Sequence, residues 1–265
     1  MSEHHPQEIK TKASKVQSVD RALALVDIIA TSEDGLSLAQ ISSSIGLPKS
    51  TVFGLLSTLR DYNYIQQSPD DGRYQLGIKL FELGTQVSRT WDIRDAARPV
   101  LRRLINEFGE TVHLGAEDNG EVLYIEKMSP ESIVSIVSDV GIRLPMHCSA
   151  LGKVLLANKS KSELKRIIGM RGLPAFTHKT ITTQTKLEKE LVQIREQGYA
   201  IDDGEIMENL RCVAAPIKDS YGVAKYAISI SGQLRDMHGK RLESIIAEVR
   251  KGADEISHSI ANARP

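Results

Sequence analysis

Residues 36–65, LSLAQISSSIGLPKSTVFGLLSTLRDYNYI, decide the fold of the N-terminal part of this chain. Leu38, Ile41 and Ile45 recur at helical spacing and make one apolar stripe over two turns. Gly46 supplies the backbone freedom that ends this helix, and Pro48 stands where a first helical turn tolerates a missing N–H. Val52, Leu55, Leu56 and Leu59 form the apolar stripe of a second helix, while Ser50, Phe53, Gly54 and Ser57 fall on its opposite face. That outer face is small and uncharged, which suits a helix pressed into a DNA groove better than one left in water. From Leu36 to Arg60 there is no acidic residue, and Lys49 and Arg60 are basic. A helical hairpin of another small domain would show the same stripes, so the residues that follow matter. Tyr64-Ile65-Gln66-Gln67, the turn cluster Ser68-Pro69-Asp70-Asp71-Gly72 and Arg73-Tyr74-Gln75-Leu76 read as strand, turn and strand. A preceding helix is expected from about Val16 to Thr31, closed by Glu33-Asp34-Gly35, with Val19, Leu23, Val26 and Ile29 or Ala30 inward and Arg21 outward. Three helices and a hairpin make a winged helix-turn-helix over residues 16–77.

At 265 residues the chain has room for two domains, and its 41% hydrophobic content is ample for buried cores. Its 34 Lys and Arg balance 34 Asp and Glu, so no global basic field argues for nucleic acid. Residues 1–80 hold 8 basic against 9 acidic side chains. Phosphate contacts are local, however, and Lys10, Lys12, Lys15, Arg21, Lys49, Arg60 and Arg73 suffice if they gather on one face. The two cysteines, Cys148 and Cys212, imply neither a disulfide framework nor metal-ligand spacing. No apolar run approaches the roughly 18 residues of a membrane span. The first residues, MSEHHPQEIKTKASK, lack a signal-peptide core and read as a disordered lead-in over 1–15. The expectation is a cytoplasmic protein with no cofactor, no metal and no membrane partner.

Beyond the hairpin, Ile78, Leu80, Phe81, Leu83 and Val87 make residues 78–92 a helical linker too apolar for a free tether. A helix from about Ile93 to Phe108 opens a second domain over 93–265. Thr111–Glu117 and Val122–Lys127 flank the turn Asp118-Asn119-Gly120, and Ile133–Val137 reads as a third strand. Ser149–Asn158, Ser162–Gly169 and Thr185–Gln197 read as helices, and Tyr199–Asp202 as a strand. A second hairpin joins Arg211–Lys218 to Val223–Ser231, and a long helix runs from about Lys240 to Ala261. Strands in hairpins with flanking helices indicate an α+β domain.

The stretches SVDRALALVDII, GLPKSTVFGLLSTL, YQLGIKLFELG, HLGAEDNGEVLYIEKM, PMHCSALGKVLLA, REQGYAIDDGE, RCVAAPIKDSYG and AISISG, in this order, resemble the IclR family of bacterial transcription regulators. The resemblance spans about Val16 to Ile260. KLFELG and HLGAEDNGEVLYIEK look most like the members that control sugar-acid catabolism and respond to ketodeoxy sugar acids or aldonates. The family implies a winged helix-turn-helix, a helical linker and a C-terminal effector-binding domain similar to a GAF fold. It also implies homodimers, commonly paired into homotetramers, on double-stranded DNA with an inverted-repeat operator. A small carboxylate effector then changes DNA binding, and repression is the usual mode.

For DNA, Lys49, Ser50 and Thr51 stand at the start of the recognition helix, where hydroxyls and N–H groups suit phosphate. Phe53 suits a thymine methyl or packing against the wing or first helix. Ser57 and, on the wing, Arg73 are further base-reading candidates, and Arg21 and Arg60 are phosphate candidates. Family members often carry Arg where this chain has Gly54, which removes a groove contact. The family's effector site maps onto Ala150 and Leu151 of the SALGK turn and onto Asp202, Cys212, Ser229 and Ser231. This chain departs where Asp202-Asp203 is usually followed by two Glu: Gly204 replaces the first, and Asn209 stands where a Gly is usual. His113 and His147 could line the pocket or bind a metal, but scattered as they are they read better as core or surface histidines. Three alternatives differ in function: an activator answering to an aromatic acid, an enzyme using Cys212 with His147 as base, and a ligand-sensing module whose helix-turn-helix serves protein contacts. Cys212 sits mid-strand like a small core residue, and SALGKV fails the P-loop spacing.

Overall fold

In the computed structural model of the chain, the described residues are 15–89, 92–130 and 139–262. The lead-in before Lys15 and the strand expected at Ile133–Val137 lie outside them. Contacts divide the chain into two compact units, Met1–Thr90 and Trp91–Pro265.

The first unit holds α1 (Gln17–Ile29), α2 (Leu38–Ile45), α3 (Lys49–Asp61), β1 (Ile65–Gln67), β2 (Tyr74–Leu76) and α4 (Ile78–Arg89). Ser37 and Gln40 cap α2 reciprocally, each side chain taking a backbone N–H of the other. Gly46 ends the helix at φ 69°, a left-handed conformation that glycine adopts without strain. β1 and β2 pair antiparallel as the wing, and Leu36 bridges to Tyr74 beside them. Leu25, Ile29, Ile41, Val52, Leu56, Ile65 and Tyr74 form the core. The inward face of α1 differs from expectation. Leu25 and Ile29 are buried, whereas Val19 and Leu23 are exposed, Leu23 by 62%. Helix α1 carries two apolar stripes, and periodicity does not say which one meets the core. Arg21 is half-buried rather than outward. On α4, Ile78 and Phe81 are exposed, Phe81 by 71%.

The second unit holds α5 (Asp92–Phe108), β3 (Thr111–Asp118), β4 (Glu121–Met128), β5 (Arg143–Pro145), α6 (Ala150–Ala157), α7 (Lys161–Arg171), α8 (Gln184–Gln197), β6 (Ala200–Asp203), β7 (Leu210–Lys218), β8 (Ala224–Gln233) and α9 (Gly239–Asn262). The strands form one antiparallel sheet in the order β5-β4-β3-β8-β7-β6. Strand β5 had no signal in the sequence. The sheet carries a core on each face. α5 and α9 pack with Val213, Ala215, Ile217, Ile228 and Ile230 on one side. α6, α7 and α8 pack with Cys212, Ala214 and Ala227 on the other. Strands covered on both faces read as continuous apolar runs, so polar residues interrupting them stand out: His113, Ser229 and Ser231 are each buried.

Candidate DNA-reading face and effector cavity

Lys49, Ser50, Thr51 and Phe53 are exposed on the first turns of α3, and Ser57 is half-buried one turn on. Phe53 is 50% exposed and stands outside the core cluster, so its ring is not sequestered by the wing or α1. An added Cβ at Gly54 would meet nothing within 4 Å, so packing does not require glycine there. The arginines behave differently. Arg60 Nη1 donates to Gln67 Oε1 at 3.0 Å, tying the end of α3 to β1. Arg73 Nη1 donates to the Gly35 carbonyl at 3.0 Å, and its Nε lies 3.3 Å from Asp71. Arg73 thereby anchors the wing to the turn after α1, a structural duty that sequence pattern does not reveal.

In the second unit, Ala150, Leu151, Asp202, Cys212, Ser229 and Ser231 line one cavity of about 110 Å³. Strand register explains the convergence. Asp202 pairs with Cys212 and Cys212 with Ser231, a row across β6, β7 and β8. Two residues along, Ser229 pairs with His113 of β3. Residues two apart share a face of a strand, so both rows face α6. Ser149 caps α6: its Oγ accepts from Gly152 N–H at 3.2 Å and donates to the Pro145 carbonyl at 2.7 Å. The N–H groups of Ala150 and Leu151 begin the helix, where no intrahelical partner exists.

His113 and Tyr124 also line the cavity. Their rings stack with centroids 4.5 Å apart, and His113 Nδ1 lies 3.5 Å from Ser231 Oγ. Burial, aided by Lys127, depresses the His113 pKa to about 3, so the ring is neutral. Both expected readings of His113 meet here, for it is buried like a core histidine and stands in the cavity wall.

Asp202 is buried. Its Oδ1 accepts from Glu205 N–H at 2.7 Å, and its Oδ2 has no hydrogen-bond partner. Burial raises its pKa to about 6, against the lowering effects of that N–H, of Lys153 and of the nearby Ile206 and Gly204 N–H groups. Gly204 makes the turn possible: it sits at φ +83°, and a Cβ there would lie 2.9 Å from the Glu208 carbonyl. Gly204, the departure from the family pattern, is thus required by the local backbone.

Behind this turn lies a charge network that sequence reasoning missed. The fully buried Lys153 Nζ bonds Glu190 Oε1 at 2.5 Å and also Glu205 Oε1. Burial disfavours the ammonium, but the two glutamates outweigh it and raise the Lys153 pKa. Glu205 Oε2 has no partner, and burial raises its carboxyl pKa to about 7 despite Lys153. The available signal was a lone lysine in the apolar helix ALGKVLLA, which burial would force to find carboxylates.

The enzyme alternative fails on geometry and charge. His147 is bonded to the Pro174 carbonyl and lines a different cavity from Cys212. Burial, then Asp202, push the Cys212 thiol far above its ordinary pKa, so no thiolate forms. Among the described residues no cluster of His, Cys, Asp and Glu is arranged to hold a metal ion, and no helix is long and apolar enough to cross a membrane.

The family described as "Bacterial transcriptional regulator IclR C-terminal" matches residues 85–258, and "IclR helix-turn-helix domain" matches 18–69. The chain is 39% identical over 216 residues to the HTH-type transcriptional regulator XynR of Escherichia coli K12, covering 82% of this chain and 86% of that protein. It is 32% identical over 252 residues to the transcriptional repressor IclR of the same strain, covering 94% and 92%. The crystal structure of Thermotoga maritima IclR superposes with a TM-score of 0.75 at 31% identity, over 93% of this chain and 100% of that one. The chain therefore belongs to the IclR family of bacterial transcription regulators, which bind DNA and small-molecule effectors and are not enzymes.

Proposed function

We propose that this chain is a cytoplasmic repressor of a catabolic operon, released or retuned by a hydroxylated carboxylate of the sugar-acid class. The observation that carries the effector class is the polarity of the cavity. Unpartnered N–H groups at the start of α6 suit a carboxylate. The unpaired Asp202 Oδ2 requires a donor, which a ligand hydroxyl supplies, and Ser229 and Ser231 add two hydroxyls. Among the described residues no lysine or arginine lines this cavity, so the anion is held by neutral donors. The likeness of KLFELG and HLGAEDNGEVLYIEK to sugar-acid regulators supports the same class. Lys49, Ser50, Thr51 and Phe53 meet the operator first, with Ser57, Arg21 and Arg60 flanking. The exposed Val16 just before α1, Val19 and Leu23 of α1, and Ile78 and Phe81 of α4 suit burial in a homodimer on an inverted repeat, with pairing into a tetramer. Effector must bind two arrangements of this assembly with different affinity to move it between them.

The test is a thermal-shift screen against gluconate, 2-keto-3-deoxygluconate, pyruvate and 4-hydroxybenzoate, repeated on Asp202→Ala and Ser229→Ala. A ligand at about 100 times its dissociation constant adds roughly 2.7 kcal/mol to stability. A sugar-acid response lost in both variants is expected. A response only to 4-hydroxybenzoate, or one that survives both substitutions, discards the assignment.

A further inference from the structure

A second cavity, of about 200 Å³, opens in the effector unit among the β3–β4 turn, the C-terminal end of α7 and the segment 145–147. It shares no lining residue with the effector cavity. Its walls are apolar: Met146, Leu156, Ile167, Ile168, Leu173 and Leu187. Its two charged lining groups, Arg171 and Glu121, lie 3.0 Å apart and neutralise each other. Arg171 is further committed to the Asn119 carbonyl, through Nε at 3.1 Å and Nη2 at 2.9 Å.

The remaining polar side chain in the wall is His147, which is buried. Its Nε2 lies 2.9 Å from the Pro174 carbonyl. A carbonyl only accepts, so Nε2 carries the ring proton. Burial and the nearby Lys153 disfavour a second proton, against the bond to Pro174. Nδ1 is therefore a lone-pair acceptor, and among the described residues it has no hydrogen-bond donor.

We propose that this cavity is a second ligand site, for a neutral single-ring phenol whose ring fills the apolar walls and whose hydroxyl donates to His147 Nδ1. The size fits, since an apolar cavity of about 150 Å³ holds a benzene ring, and the extra volume takes a ring substituent. An anionic ligand is disfavoured because the one lining cation is already matched by Glu121. A ligand here also presses on the effector cavity. Segment 145–147 leads into the cap of α6: Ser149 Oγ holds the Pro145 carbonyl at 2.7 Å, and a Cβ on Gly152 would lie 2.3 Å from Met146 Cα. Displacement of Met146 thus moves Ala150 and Leu151. The binding site itself stands whether or not the sugar-acid reading holds.

The experiment is calorimetric titration of the full-length protein with p-cresol and with p-xylene, which differ by a hydroxyl in place of a methyl. Saturable p-cresol binding at one site per chain is expected, about tenfold tighter than p-xylene because only the phenol pairs the His147 Nδ1 acceptor. His147→Leu removes that preference, Ile167→Trp fills the cavity and abolishes both signals, and Ser229→Ala in the other cavity leaves p-cresol affinity unchanged. No saturable binding of either compound, equal affinity for both, or loss of p-cresol binding in Ser229→Ala overturns the proposal. The two-ligand comparison on the unaltered protein decides the matter even if a variant fails to fold.

Discussion

The two units hold their candidate site residues in opposite ways. On α3, Lys49, Ser50, Thr51 and Phe53 project into solvent, with Gly54 open around its Cα. In the effector unit, Asp202, Ser229 and Ser231 are buried, and the Asp202 and Glu205 carboxylates each keep one oxygen without a partner. Exposed groups contribute little to folding, so a surface that reads DNA is nearly independent of stability. Buried polar groups left incomplete cost stability in the empty protein, and a ligand that completes them recovers it on binding. That difference suits the second unit to sensing, because ligand binding and packing draw on the same atoms.

The sharpest way to break this contrast is Lys153→Met. It leaves Glu190 and Glu205 facing each other without their buried cation. Loss of one partner from such a cluster typically costs about 3–5 kcal/mol, and urea denaturation of the effector unit measures it. A loss under about 1 kcal/mol would mean that the network contributes no more than a surface pair.

The next effect has the opposite sign. The Asp202 carboxyl rises from 3.8 to about 6 in the fold. A raised acid holds its proton more tightly when folded, so the protein loses stability as pH climbs from about 4 to about 6 and keeps that deficit above. Asp202→Asn removes this titration while retaining an oxygen for the Glu205 N–H. Denaturation midpoints are expected to agree below about pH 4 and to favour the Asn variant at pH 7.5 by roughly 1–3 kcal/mol. Affinity for a hydroxylated effector falls in the same variant. A less stable Asn variant at pH 7.5 would show that Asp202 is not destabilised in the empty cavity.

The smallest changes belong to α3. Gly54→Ala adds a Cβ with nothing within 4 Å and is expected to stabilise the winged-helix unit by about 1 kcal/mol in thermal melts. Phe53→Ala should alter stability by less than about 0.5 kcal/mol yet weaken operator binding roughly tenfold in fluorescence anisotropy, by loss of an apolar groove contact. If Phe53→Ala unfolds the unit instead, α3 is not the free surface described above.

Much of this molecule was legible in its sequence. The stripes of α2 and α3, the stop at Gly46 and the wing all follow from interactions within a few residues, which a linear pattern records. The hairpins of the effector unit are local for the same reason. Other features were not legible because they depend on partners far along the chain. In α1, two apolar stripes compete, and only the packing of α2 and α3 decides that Leu25 and Ile29 go inward while Leu23 stays out. Arg73 reads as a base-reading candidate on the wing, and only the fold shows that the Gly35 carbonyl, 38 residues away, also meets its guanidinium.

By itself, then, the sequence determined the family motifs, the winged helix-turn-helix and the residue types that line the candidate cavity. The tertiary structure alone decided that His113 and Ser231, 118 residues apart, share one wall. It also decided that Lys153 finds Glu190 and Glu205, and that Asp202 keeps an unpaired oxygen. The physical reason is range: helix and turn signals arise from neighbours in the chain, whereas a buried polar group is defined by whichever distant strands the closing sheet lays beside it.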